Sequence, residues 1–287
     1  MAISRTIARV ITTGPPAPGF MGPGHEAVAV VSPDAFSMND PFILLMDDRM
    51  DLGDRVAGSA HPHAGIETVT LVIEGAVRDH DEGVLHAGDA VWMTAGRGII
   101  HNEESRTQGR TRILQLWVTL PKRDRWTAPG FQEIRLDSLP VRREGGAEVR
   151  LYSGRSGSEQ SPTRNHVPVT LADITLPPGT VIDQELPATD NGFLYVLDGS
   201  AAVGDPAVVL ATGQVGWLDR RSEGGPSTLR LSGGAGGARL VLYAGEPQGD
   251  PIVASGPFVA DTEADLRRLF AESRAGHFVR MSELARA

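Results

Sequence analysis

Residues 61–75 read HPHAGIETVTLVIEG and residues 88–103 read GDAVWMTAGRGIIHNE. In the first stretch two histidines, one residue apart, run into a β-branched segment that stops at Gly75. The second leaves a turn at Gly88, passes Trp92 and a glycine-rich bend (AGRG, 95–98), and ends in His101 and Glu103, again one residue apart. On an extended chain residues i and i+2 face the same side, so each pair presents both side chains together. A strand, a turn at Gly75 and an antiparallel return bring the second pair opposite the first. Further short β-rich runs, bounded by Gly or Pro, occur at 112–119 (RILQLWVT), 193–197 (FLYVL) and 240–243 (LVLY). This punctuation predicts an all-β sandwich or barrel. One helix is expected near 263–273, where Thr262 and Asp265 form a capping-box pair and Leu266, Leu269 and Phe270 follow at helical spacing.

The chain repeats its own plan. VIEG (72–75) is followed by Gly88 and, four residues on, Trp92; VLDG (196–199) is followed by Gly213 and, four residues on, Trp217. The gap between the two glycines differs by a single residue. With 287 residues in all, this predicts two tandem barrels, a first domain over 1–130 and a second over 131–287. The linker is expected within 121–143, where PKRDRWTAPG mixes charge, Pro and Gly.

Composition excludes several functions. The absence of cysteine removes disulfides, thiolate metal sites, iron–sulfur clusters and cysteine nucleophiles. A net charge of -9, with Lys122 the only lysine, argues against direct nucleic-acid binding. The opening MAISRTIARVITTG is broken by Arg5 and Arg9 and fits neither a signal peptide nor a membrane span, so a cytoplasmic protein is expected.

Five of the eight histidines lie between His61 and His101. Three imidazoles (His61, His63, His101) and one carboxylate make a donor set that suits Fe(II), and also Mn, Co, Ni or Cu(II), rather than Mg or Ca. Four protein ligands on an octahedral ion leave two positions for small molecules, as in a catalytic site. The carboxylate has two candidates, because Glu67 shares the strand parity of His61 and His63 while Glu103 shares that of His101. Glu104 points the other way. His80 and His86, in DHDEGVLH, read as a solvated hairpin turn.

These segments, with LQLWVTLP (114–121) and AGEPQGDPIVASGPFV (244–259), resemble the signatures of the pirin family over nearly the whole chain. The resemblance implies two tandem cupin (jelly-roll) barrels, a mononuclear iron in the first, and His61, His63, His101 and Glu103 as its ligands, so it favours Glu103 over Glu67. The chain departs from the family pattern at Ala64, where Arg commonly follows HPH, and at Asn102, where a small residue is usual. Loss of the Arg is expected to alter charge near the pocket mouth. Carried across in register, the positions matching the four ligands in the second half are Glu185, Pro187, Pro226 and Thr228, so the second barrel is expected to hold no metal.

The resemblance also implies function. Bacterial pirins are similar to quercetin 2,3-dioxygenases, which cleave flavonols with dioxygen and release carbon monoxide; here Glu103 would take the proton of the flavonol 3-hydroxyl. The alternative is an iron- or redox-dependent regulator that binds a transcription factor or a metabolic enzyme, and a third is a metal-binding barrel with neither role.

Overall fold

The computed structural model describes residues 3–81, 83–107 and 109–284. It is mostly strand, with helices only at Phe36–Asn39 and Glu263–Arg274 apart from short 3-10 turns. None of its helices is long and apolar enough to cross a membrane.

The chain divides into two compact units, and these are not its two linear halves. One comprises residues 14–38, 42–137 and 248–287; the other comprises 1–13, 39–41 and 138–247.

In the first unit a seven-stranded sheet runs in the order Gly130–Ile134, Ala90–Thr94, Ile66–Glu74, Thr111–Thr119, Phe42–Met50, His25–Val31 and Ala17–Pro18. A three-stranded sheet, Val279–Arg280, Ile99–Asn102 and Ala60–His63, carries the two histidine segments. A third joins Arg106–Thr107, Ala76–Asp79 and Gly83–His86. Ile66, Val72, Leu85, Val91 and Met93 fill the interior between them. The chain passes from one unit to the other between residues 137 and 138, within the stretch expected to hold the linker, and that stretch carries structure of its own. Gly130–Ile134 pairs with Ala90–Thr94, and its Phe131 and Ile134 are buried.

The tail 248–287 completes this unit. The hairpin Val253–Ser255/Phe258–Ala260 precedes the helix Glu263–Arg274, whose N-cap Thr262 accepts a hydrogen bond from the Asp265 backbone N–H at 3.2 Å. Leu266 and Leu269 then pack with Phe258, Phe278 and Ala64. Ala64 is therefore fully buried in an apolar cluster and does not stand at a pocket mouth.

The second unit is built on a ten-stranded sheet whose central path is Val141–Glu144, Ala147–Ser153, Val169–Leu176, Pro226–Gly245, Asn191–Val203, Gln214–Leu218 and Ile7–Thr12. The chain's first strands thus serve this unit: Ile3–Ser4 pairs in parallel with Pro226–Gly245, and Ile7–Thr12 closes against Gln214–Leu218. Its core is aliphatic, from Ile7 through Leu151, Ile174, Leu194 and Leu229 to Leu242.

The internal repeat holds to the hydrogen bond. In the first unit Gly88 N–H donates to Val72 C=O (2.8 Å) and Ala87 N–H to Gly75 C=O (2.9 Å); in the second Gly213 donates to Val196 (2.9 Å) and Thr212 to Gly199 (3.0 Å). Trp92 lies opposite Val69 and Trp217 opposite Phe193, equivalent positions. Gly75 and Gly199 are both left-handed (φ 76° and 71°). A Cβ on either would lie 2.2 Å from a neighbouring backbone carbonyl, of Arg110 and Gly237 respectively. Only glycine satisfies both demands.

Candidate metal centre

The site is assembled by one antiparallel pair of short strands. Ala60–His63 and Ile99–Asn102 pair so that His61 lies opposite His101 and His63 opposite Ile99. Alternation then puts three imidazoles on one face. His61 and His101 approach Nε2 to Nε2 at 2.9 Å, and one ring nitrogen of each of the three histidines falls within 4.8 Å of the others. Among the described residues it is the one such cluster of three or more.

Glu103 lies just beyond the strand end, where the chain bends. Asn102 shapes that bend: its N–H donates to Asp81 Oδ2 (2.7 Å) and its Oδ1 accepts from Glu104 N–H (3.1 Å), an Asx turn. The backbone of Glu103 is held from below by Ser105 Oγ, which donates to its carbonyl (3.1 Å). Gly58 (φ 90°) leaves room for the same carbonyl, which a Cβ there would meet at 2.1 Å. The carboxylate consequently reaches back to 3.7 Å from both His61 Nε2 and His101 Nε2. Glu67 is fully buried and accepts a hydrogen bond from Thr94 Oγ1 (2.9 Å); Glu103 is the carboxylate beside the histidines. Glu104 is exposed. His80 and His86 are exposed on the hairpin of Ala76–Asp79 and Gly83–His86.

The electrostatics suit a cation. Burial, reinforced by His61, lowers His63 to about 3. Burial and the two neighbouring imidazoles hold His101 well below the usual histidine range. Both rings are neutral at neutral pH and carry a lone pair ready for a metal. Burial, then Asp79 and Asp48, pushes Glu103 up to about 8. His61 donates Nδ1–H to the Ser59 carbonyl (2.9 Å), which leaves its Nε2 as the free donor atom. His63 and His101 each leave Nδ1 buried without a hydrogen-bond partner. Two donors at right angles about one ion with bonds of ~2.1 Å would be roughly 3 Å apart, close to the spacing of His61 and His101. Residues present and donor chemistry therefore fit a mononuclear site.

Sequence reading missed the wall of this site. Glu103 lines a small cavity of about 50 Å³, together with Asp79, Asp48, His25, Thr70 and Gln115 and an apolar side of Phe20, Met21, Val77 and Ile113. His25 Nε2 hydrogen-bonds Asp48 Oδ1 (2.7 Å) while its Nδ1 accepts from Met21 N–H (3.2 Å), so both ring nitrogens are engaged and His25 holds the wall. A signal was available in the acidic pairs of the runs DDRM and RDHDE, which place a carboxylate on the inner face of each strand.

Among its described residues the second unit holds no such group. Glu185 pairs with Thr228 and Pro187 with Pro226. The residue opposite Glu185 is therefore two positions later than a count from Trp217 places it, and no imidazole stands at any of these positions.

The sequence pattern of the family described as Pirin matches residues 25–118, and that of the Pirin C-terminal cupin domain matches residues 171–279. A pirin-like protein of Caulobacter vibrioides is 36% identical, over 90% of this chain and 94% of its own length. A Pseudomonas aeruginosa protein named "Putative quercetin 2,3-dioxygenase" is also 36% identical, over 92% of this chain and 95% of its own. The crystal structure of GK1651 from Geobacillus kaustophilus superposes with a TM-score of 0.78 at 39% identity, covering 88% of this chain and 100% of that one. The bacterial pirin YhhW from Escherichia coli, solved in complex with nickel(II), shares the fold (TM-score 0.61, 18% identity, 83% and 99% coverage). With two barrels that repeat one hairpin, both family patterns in order and full-length relatives on either side, the chain belongs to the pirin family of bicupins.

Proposed function

We propose that this pirin is a mononuclear-metal dioxygenase that cleaves flavonols such as quercetin, with His61, His63, His101 and Glu103 as ligands to Fe(II); Mn, Co, Ni and Cu(II) satisfy the same donors. The observation that carries the reading is that Glu103 belongs to two places at once. Its carboxylate stands 3.7 Å from two of the histidines and also lines the cavity, so a small molecule there meets the metal site directly. The relative named for quercetin 2,3-dioxygenase, similar over nearly its full length, supports the substrate class.

When bound, the ion supplies Lewis-acid polarisation of a chelating 3-hydroxy-4-keto group. The chain's own residues do the rest. Glu103, which stands beside the histidines and lines the cavity, would take the flavonol 3-hydroxyl proton at a carboxylate oxygen. Phe20, Met21, Val77 and Ile113 pack against the aromatic rings and exclude water from the proton's path. Thr70 donates to Gln115 Oε1 (2.8 Å), which leaves the Gln115 amide N–H groups for ring hydroxyls.

Mixing anaerobic quercetin with metal-loaded protein is expected to shift the flavonol absorption to the red. Admitting oxygen is then expected to bleach the band and release carbon monoxide, and His101→Ala to do neither. Absence of the shift with every loaded metal would overturn the dioxygenase reading in favour of the regulatory one, whose mark is metal-dependent capture of a protein partner.

A further inference from the structure

The second barrel has no ligand set, yet the strands that would bear one open onto a cleft. Its volume is about 580 Å³. Glu185, Pro187 and Pro226, three of the positions that match the metal ligands of the first barrel in sequence register, line it together with Arg155, Asn165 and Asp190. Most of the polar groups in this wall are already satisfied. Asn165 Nδ2 donates to Ser153 Oγ (2.9 Å), and Arg155 donates to Gln160 Oε1 (2.7 Å).

Asp190 is the exception. It is 94% buried, with 6% of its surface exposed, and what is exposed faces the cleft. Among the described residues no hydrogen bond reaches its carboxylate; its contacts run through the backbone. Its N–H donates to Pro187 C=O (3.2 Å) and its C=O accepts from Arg5 (3.0 Å). Arg5, itself fully buried, also donates to the carbonyls of Pro187 and Ala188 (3.2 and 3.3 Å) and pairs with Asp219 at 3.1 Å. A buried cation thus clamps the turn from behind and fixes where the Asp190 side chain emerges. The carboxylate opens onto the cleft, so a donor for it comes from whatever occupies the cleft.

We propose that the cleft of the second barrel is a metal-independent binding site for a small molecule carrying a guanidinium or ammonium group, with Asp190 as its anchor. The charges around the cleft favour a cationic head. Asp190 in the wall and Glu185 at the rim face the single cation Arg155, and Arg155 is exposed and bonded to Gln160. The site does not depend on the metal of the first barrel.

Burial pushes Asp190 up to about 7, opposed by Arg5 and reinforced by Glu246. A bound cation favours the ionised form, so binding releases a proton and tightens as pH rises through that value. Glu185 and Arg155 line the same cleft, and Asp219 pairs with Arg5.

Butylguanidine and butylurea have the same shape and differ in charge, and calorimetric titration of both into the full chain tests the assignment. Butylguanidine is expected to bind at one site per chain, at least ~10-fold tighter at about pH 8.5 than at about pH 5.5. Butylurea and the isosteric variant Asp190→Asn are each expected to lose ~10-fold or more, and Glu185→Gln at the rim a smaller factor. The pair His61→Ala/His63→Ala is expected to bind as the parent does. A normal melting transition for Asp190→Asn shows that the loss is local; if that variant fails to fold, the ratio of butylguanidine to butylurea affinity in the parent decides. Equal binding by parent and Asp190→Asn, equal binding of the two probes, or no saturable binding of butylguanidine would each overturn the proposal.

Discussion

The two barrels share a hairpin bond for bond and differ in what the next pair of strands carries. In both, an antiparallel return closes on left-handed glycines, with Gly88 bonded to Val72 and Gly213 to Val196. In the first, the short strands Ala60–His63 and Ile99–Asn102 set His61 against His101. In the second, Val181–Pro187 and Pro226–Gly245 set Glu185 against Thr228. The scaffold is common, and the chemistry lies in a handful of inward positions. Each barrel also places an acid with a raised pKa at its cavity, Glu103 at about 8 and Asp190 at about 7. In the first barrel histidines stand beside the acid to recruit a cation; in the second the acid stands alone.

The sharpest way to break this comparison is to count metals. One equivalent per chain is expected, and His61→Ala/His63→Ala should reduce it to none while far-UV circular dichroism stays that of a folded β protein. Two equivalents in the parent would mean a second site, and one in the double variant would mean that the site lies elsewhere. In the same elemental assay Glu103→Gln should lower metal retention by at least ~10-fold, with Glu67→Gln doing less. The opposite ranking would return the carboxylate role to Glu67.

The shared corner can be tested from both sides. Gly75→Ala and Gly199→Ala each put a Cβ 2.2 Å from a carbonyl oxygen at positive φ. Each is expected to cost at least ~1–2 kcal/mol, and the two costs should be similar if the corners are equivalent. Urea unfolding of the two variants measures this, and a large cost at one glycine alone would mean that the repeat is geometric only.

The smallest expected effect concerns Asp190. Because its folded pKa lies above its ordinary value of 3.8, at about 7, the native state holds the proton more tightly than the unfolded chain. Stability therefore falls as pH rises from about 4 to about 7 and stays lower beyond. Asp190→Asn is expected to raise the melting temperature at about pH 8.5 and to leave it nearly unchanged below about pH 4. A variant less stable at high pH would show that the carboxylate has a structural partner.

Local pattern was enough for much of this protein. The alternation in HPHAGIETVTLVIEG, the paired His101 and Glu103, the repeated glycines and tryptophans, and the capped helix after Thr262 are all encoded within a few residues of one another, so sequence alone determined the β class, the duplication and the candidate ligands. Neighbouring residues could not reveal which distant segment completes which barrel. Residues 248–287 cluster with the first barrel and 1–13 with the second, because strand edges and apolar faces are satisfied by whichever segment reaches them, whatever its distance along the chain. The tertiary structure likewise decided that Ala64 is buried under the tail, that Glu103 rather than Glu67 faces the histidines, and that Arg5 clamps a turn 185 residues away. These are consequences of burial and long-range contact, which turn an ordinary acid or alanine into a specific one only once the chain has closed around it.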